Sequence, residues 1–397
     1  MKSRRRPRSA RVRGLLAAAC AATVLVPLAT APAGATPTTA TPTTATVAAA
    51  DRGPTPAGRL DRTIAAAMRR YGIPGAVVGI WQQGHAGYVR SFGVRDLKTR
   101  APMRTDINTR IGSITKTFTV TAVLELADQG RLRLDDPIAR YIAGVPDGAR
   151  ITLRELADMR SGLYPYTDDP GFLHDFLTRP RRSFTPHQLL AYGFKHPNLF
   201  PPDSQYLYSN SNTVLLGLVV EKLTRTPLAA YVRRHVIAPS GLRRSFMSPT
   251  TVLPAPRAHG YTVQTPRQTV ADATGWSTSW AWADGDMISD LRDLHSWAYD
   301  LYRGPLLSRR TQAQRLTFVP TGAPGVGYGL GVAEVNGWIG HNGEVPGYET
   351  LEVYLPAQRL TLVLMINTDI AYQGSLPVDL LAQAITQVIT PKNVFIL

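Results

Sequence analysis

Leu60, Ile64, Ala65 and Met68 recur at helical spacing in LDRTIAAAMRRYG, and Gly72 stops the pattern, so a first helix is expected from near Arg59. The next stretch, AVVGIWQQGHAGYVRSFGVRD (76–96), reads as a β-hairpin turning at Gln83-Gly84. From roughly 113 to 305, helical patterns and long proline-rich polar loops dominate. Strand patterns return only near the end. GYGLGVAE (327–334) alternates glycine with larger residues, and ETLEVYL (349–355) and LTLVLMINT (360–368) form a second hairpin about Pro356-Ala357-Gln358. A last helix over 378–389 carries Leu380, Leu381, Ile385 and Ile389 as an apolar stripe.

Strands at both ends with helices between predict an α/β fold of discontinuous design. An antiparallel sheet is built from both termini and flanked by their helices, and a mainly helical lobe is inserted at roughly 130–305. One catalytic-sized domain over 58–397 accommodates both, and the cleft between the lobes is the expected ligand site.

Composition changes the picture mainly at the N-terminus. MKSRRRPRSARVRG holds seven basic and no acidic residues, an apolar run follows, and Ala33-Gly34-Ala35 offers small residues for cleavage. Residues 1–35 therefore read as a secretory signal peptide, and a secreted, wall-associated protein is expected. The rival reading, a membrane anchor, needs about 20 apolar residues and this run is shorter. Removing the seven charges takes the formal net charge from +16 to +9. The remaining basic residues are dispersed, without interleaved aromatics, so no nucleic-acid partner is expected. Cys20, the single cysteine, falls in the removed segment. Residues 36–57, rich in Thr, Pro and Ala, read as a disordered linker.

The chemistry lies in IGSITKTFTVTAVLELADQG (111–130), a strongly apolar helix pattern that opens with Ser113 and Lys116. Residues three apart share a helix face, so the lysine amine can reach the serine hydroxyl. Burial among Ile111, Ile114 and Phe118 and the positive end of the helix dipole would lower the lysine pKa, leaving a neutral amine to take the serine proton. The plainer alternative is an N-cap serine followed by an exposed lysine. Two later stretches add weight: Tyr208-Ser209-Asn210 just before an apolar helix, and His341-Asn342-Gly343 just before a strand.

In that order and spacing the three motifs resemble the serine DD-peptidases and class C-type serine β-lactamases, most closely the secreted D-alanyl-D-alanine carboxypeptidases of Streptomyces. ITLRELADMRSGL (151–163), ADGDMISDLRDL (283–294) and YGLGV (328–332) extend the resemblance over roughly 58–390. It implies a β-lactamase/transpeptidase-like fold and a cofactor-free, metal-free acyl-enzyme mechanism. Ser113 is then the nucleophile and Lys116 its base, Tyr208 passes protons, Asn210 holds the substrate amide, and His341 supports Tyr208 and substrate. Gly343 lets substrate lie against its strand, the Glu344 N–H joins that of Ser113 in stabilising the oxyanion, and Trp280 lines the cleft. The implied partners are peptidoglycan peptides or small esters and amides, with β-lactams as acylating inhibitors.

Two departures bear on the substrate. Carboxypeptidases of this kind commonly place hydroxyl residues where Asn342 and Glu344 stand, and use them to hold a terminal carboxylate. GVAEVNGWIG (331–340) also lacks the arginine expected nearby. The reading is a D-alanyl-D-alanine carboxypeptidase, with an esterase, D-amino-acid amidase or β-lactamase on the same scaffold as the alternative. A non-catalytic wall- or antibiotic-binding protein is the third reading, and it has no need of a buried lysine. GWSTS (275–279) fails the G-x-S-x-G pattern and argues against an α/β-hydrolase elbow.

Overall fold

The structure is a computed structural model that describes residues 56–397; the expected signal peptide and residues 36–55 of the expected linker lie outside them. Helix α1 (Pro56–Tyr71) begins before Arg59 and takes in Pro56 and Ala57, which composition assigned to the linker. Proline suits the first helical position, since its φ is already helical and its missing N–H would have no partner there. Gly72, at φ +70, then ends the helix in the left-handed region.

The strands of the main sheet are β1 (Gly75–Gln82), β2 (Tyr88–Gly93), β3 (Val319–Pro320), β4 (Val326–Tyr328), β5 (Ala333–Val335), β6 (Trp338–Val345), β7 (Tyr348–Leu355) and β8 (Leu360–Ile366). Among the described residues they form one antiparallel sheet in the order β2-β1-β8-β7-β6-β5-β4-β3. β1 pairs with β8 from Ala76↔Ile366 to Gln82↔Leu360, so the sheet is closed by the two ends of the chain, as the pattern predicted.

Side-chain alternation sorts the sheet into two faces. Leu360, Leu362, Leu364 and Ile366 of β8 pack with Leu60, Ile64 and Met68 of α1 and with Leu381 and Ile385 of α5 (Pro377–Ile389). Val363 and Met365 face the other core, which contains Leu294, Trp297 and Leu301 of α4 (Leu291–Arg303) and the helical lobe. At the centre of that lobe are α2 (Thr115–Asp128) and α3 (Asn210–Thr224). Of the expected stripe on α5, Leu381 and Ile385 are buried while Leu380 and Ile389 are half-buried. Among the described residues no helix is long and apolar enough to cross a membrane.

The expected strand 327–334 is split into β4 and β5. The chain turns at Gly329-Leu330-Gly331, where a Cβ on Gly329 would lie 2.1 Å from the Arg315 carbonyl oxygen and one on Gly331 2.6 Å from Val120. Gly331 also takes φ +68. The alternating glycines therefore mark a close approach to α2 and not a continuous strand.

Packing of α5 on the sheet is expected to carry much of the stability of this half. Leu381→Ala should cost about 2–5 kcal/mol, and Leu380→Ala, at a half-buried position, under about 1 kcal/mol. Urea denaturation of the two variants checks this ordering.

Candidate active site

From Ile107 to Leu124 every residue is buried except Ser113. Ser113 sits in a 3-10 turn (Gly112–Ile114) that runs directly into α2, so the expected single helix is a tight turn followed by a helix. Gly112 makes the entry possible with φ +51. Lys116, in the first turn of α2, is fully buried and donates from Nζ to Ser113 Oγ at 3.0 Å and to the Asp284 carbonyl oxygen at 2.9 Å. The Asp284 carboxylate oxygen Oδ1 lies 3.6 Å from the same nitrogen.

The elements that carry the two halves of this contact are tied together. Asn108–Arg110 pairs with Met287–Asp290 as short strands, Ile111 N–H donates to the Met287 carbonyl, and Met287 N–H donates to Thr115 Oγ1. Asp284 ends a 3-10 turn (Trp282–Asp284) whose Trp282 has φ +41, an uncommon conformation for a bulky residue. Burial lowers the Lys116 pKa to about 8 against the opposing pull of Asp284. Burial also raises Asp284 to about 6, partly offset by Lys116 and by the Tyr166 hydroxyl.

The segment before α3 brings Tyr208 over this pair, with Lys116 Nζ 4.8 Å from the phenol ring centroid. Its buried hydroxyl has no geometrically complete hydrogen bond, and neither do Ser209 Oγ and Asn210 Oδ1. Buried polar atoms nearly always find partners, so three consecutive unsatisfied side chains beside a half-exposed serine mark a place for a polar ligand. Burial drives the Tyr208 pKa well above its ordinary value, and the nearby Ser113 hydroxyl opposes part of that shift. Asn210 is the first residue of α3 and not its N-cap, and Ser209 makes no capping bond.

β6 forms the opposite wall. Gly112 and Gly343 allow the two main chains to meet: a Cβ on Gly343 would lie 2.0 Å from the Ile111 carbonyl oxygen and 2.8 Å from Ser113 N, and one on Gly112 2.5 Å from Glu344 N. The Ser113 and Glu344 backbone nitrogens are thereby neighbours. β5 pairs with β6 only from Trp338 to Gly340, while β7 continues along it to Val345, so on the β5 side residues 341–345 have no strand partner among the described residues.

His341 points toward the catalytic side but bonds to Tyr328, whose hydroxyl lies 3.0 Å from Nε2. Nδ1 faces the Asn342 carbonyl, which can only accept, so Nδ1 carries the proton and Nε2 accepts from Tyr328. Burial and the Lys116 charge hold His341 neutral, with its pKa lowered to about 3. Its ring centroid is 6.1 Å from that of Tyr208.

Asn342 and Glu344 project to the other face of the sheet. Asn342 Nδ2 donates to both Asp379 oxygens at 3.2 and 3.0 Å, and Gln264 Nε2 bridges Glu344 Oε1 and Asp369 Oδ2 at 3.2 and 2.6 Å. Burial first, and the neighbouring Asp369 and Asp379 next, raise Glu344 to about 8; burial raises Asp379 to about 7 and Asp369 to about 6. Among the described residues no Lys or Arg forms an ion pair with this group.

Trp280, expected to line the cleft, is only 8% exposed and packs edge-on against Phe176 at 5.0 Å, so its indole belongs to the aromatic core behind the site. Sequence reasoning missed Asp284, Tyr166 and Tyr328. Asp284 and Tyr328 lie in stretches that resembled the family and Tyr166 lies just beyond one, but none belongs to a motif with a chemical signature of its own.

A family model described as Beta-lactamase matches residues 60–382. The chain is 33% identical to a D-stereospecific amidohydrolase from Streptomyces sp. of known structure, with a TM-score of 0.72 over 78% of this chain and 94% of that one. It is 27% identical to the D-amino acid amidase of Ochrobactrum anthropi SV3, again at TM-score 0.72, covering 84% and 100%. A D-aminopeptidase from Brucella anthropi is 29% identical over 307 residues, 75% of this chain. Esterase EstB from Burkholderia gladioli is 34% identical over 198 residues, 47% of this chain. The chain spans 57% of the length of that D-aminopeptidase and 50% of that esterase. These matches carry amidase, aminopeptidase and esterase names, and do not support the particular closeness to the Streptomyces carboxypeptidases expected above. The family model, matching most of the chain on a shared fold, makes this protein a member of the β-lactamase family of serine hydrolases.

Proposed function

We propose that this serine hydrolase cleaves amides or esters of D-amino acids whose leaving group bears no carboxylate. Ser113 attacks the substrate carbonyl, Lys116 takes its proton, and the Ser113 and Glu344 N–H groups hold the oxyanion. Tyr208 passes a proton to the leaving group and then activates water, and Asn210 holds the substrate amide. Neutral His341, fixed by Tyr328, keeps the wall of β6 polar without adding charge, and Gly343 leaves the strand edge open for substrate to lie along it. The N-terminal 35 residues would export the protein to where cell-wall D-amino acids occur.

The observation that carries the choice of substrate is that Asn342 and Glu344 turn to the far face of β6, where they bond to Asp379 and Gln264, so neither is presented to the cleft to hold a terminal carboxylate. On the catalytic side β6 presents neutral His341 and the bare Gly343, which offer no charge to a terminal carboxylate. A neutral amide or ester needs no such partner. The amidase names among the relatives favour the same reading, which supports a D-alanyl-D-alanine carboxypeptidase less well. The esterase match favours ester cleavage as a second activity of the same acyl-enzyme. The carboxylate of a penicillin lacks the same partners, so β-lactams are slow acylating agents on this account.

A D-amino acid amide is expected to be hydrolysed with kcat/KM at least about tenfold above that of a peptide ending in D-Ala-D-Ala; equal or reversed values would return the carboxypeptidase reading. Ser113→Ala and Lys116→Ala should each lower kcat/KM on the amide by roughly a thousandfold, with unchanged circular dichroism. Near-normal turnover in either variant would remove that residue from the mechanism.

A further inference from the structure

Asp284 and Tyr166 have no part in the mechanism above, yet they sit directly behind the base. The Tyr166 hydroxyl is fully buried and has one proton and two oxygens within reach: the Trp280 carbonyl at 2.7 Å and Asp284 Oδ2 at 2.8 Å. A carbonyl can only accept. If the phenol donates to it, the contact with Oδ2 is a hydrogen bond only when Asp284 itself carries a proton and donates. An ionised Asp284 would claim the phenol proton and leave the Trp280 and Tyr166 oxygens facing each other at 2.7 Å. Both short contacts are satisfied together only by a neutral carboxylic acid.

The other side of Asp284 makes the same demand. For Ser113 to give up its proton, Lys116 Nζ must present a lone pair at the 3.0 Å contact, and an ammonium has none. A neutral amine uses its two N–H groups on the Asp284 carbonyl and toward Oδ1, and keeps its lone pair for Ser113. The other titratable groups facing this pair are Tyr208 above Lys116, His341 across from it, and buried Asp286, which has Arg110 beyond it. His341 is neutral, Tyr208 is protonated, and burial beside Asp284 raises Asp286 well above the ordinary carboxylate range, so within this shell Asp284, with Oδ1 3.6 Å from Nζ, is the acceptor beside the lysine.

We propose that Asp284 stores the proton that Lys116 must shed: the acylation-competent enzyme holds Asp284 as a carboxylic acid bonded to Tyr166, and Lys116 as a neutral amine. The pair is uncharged overall whether the proton sits on nitrogen or oxygen, so the transfer moves no net charge into or out of the core. In the reacting step Ser113 Oγ bonds to the substrate carbonyl carbon, the serine proton passes to the Lys116 lone pair, and the C=O electron pair moves to oxygen. Collapse breaks the bond to the leaving group, which receives the proton from Lys116, directly or through Tyr208, and the neutral amine is restored. Asp284 acts through Lys116 and is a positioning residue.

The test is the pH dependence of acylation, read as the burst of p-nitrophenol from p-nitrophenyl acetate. This probe works whichever natural leaving group the enzyme takes. If one proton is shared, acylation fails when the pair takes up a second, so the wild-type acid limb lies near the Asp284 value of about 6 and the rate is level between that limb and the pair's second step, near the Lys116 value of about 8. A rate that climbs tenfold per pH unit to a limb near the Lys116 value of about 8 makes Asp284 a plain counter-ion and overturns the proposal. Asp284→Asn should lower the burst rate at pH 7 at least tenfold with its thermal unfolding transition retained. An unchanged or faster burst would overturn the proposal, because removing a counter-ion makes the neutral lysine easier to reach. Should that variant not fold, the wild-type limb decides alone. A wild-type enzyme that forms no adduct on Ser113 would overturn the assigned nucleophile together with this proposal, a failure distinct from a limb in the wrong place.

Discussion

The site depends on one lysine held entirely out of water. Moving an ammonium from water into a protein core costs several kcal/mol unless other groups replace its hydration, so the surroundings of Lys116 have to be polar in the right places. They are: a serine oxygen, a main-chain carbonyl and a carboxyl group lie within 3.6 Å of Nζ, and an aromatic ring lies 4.8 Å away. The same demand explains α2, a helix buried on all sides although its first half is rich in threonine. Thr117 and Thr121 return their hydroxyls to the helix backbone, and Thr119 donates to the Ala283 carbonyl beside Asp284. Thr115 accepts from Met287 N–H. The hydroxyls that would make α2 unfit for a core instead bind it to the turn that carries Asp284.

Around that fixed centre, Ser113 is left partly exposed. The sheet joins the two ends of the chain through the β1–β8 pair, and every residue of β7 and β8 is buried. β6 loses its outer partner after Gly340 because the chain leaves β4 in a turn pinned against α2 and resumes pairing only at β5. The half-exposed Ser113 therefore faces a strand edge able to accept an extended substrate, and the glycine contacts at Gly112 and Gly343 bring the two backbones close enough to share one oxygen. Charge then divides the two faces of that strand. The catalytic face holds a neutral histidine and the lysine, while the opposite face holds carboxyl groups without a cation.

Much of this was legible in the chain. Hydrophobic periodicity located the terminal hairpins and helices, and three short motifs located Ser113, Lys116, Tyr208, Asn210 and His341, because each needs its residue type at its spacing. What could not be read depends on contacts between distant segments. Asp284 meets Lys116 across 168 residues, and nothing local distinguishes its carboxylate from a solvated one. The direction in which Glu344 points follows from the register of β6 on β7, which pairs Gly343 with Thr350 and so sends the side chains on either side of that glycine to the far face. Trp280 was expected in the cleft, but an indole suits a core equally well, and its packing on Phe176 puts it there. The break at Gly329-Leu330-Gly331 was hidden for a related reason, as glycine alternation reads as strand until the neighbour that needs the space is known.

The central claim is that the one half-exposed residue in this buried run, Ser113, forms the covalent intermediate with Lys116 behind it. Acid quenching during turnover of an activated D-amino acid ester, followed by proteolysis and mass mapping, tests it most directly. The account predicts an acyl group confined to the peptide that contains Ser113. Turnover with the acyl group on another residue, or with no covalent intermediate under conditions where deacylation is rate-limiting, would contradict it.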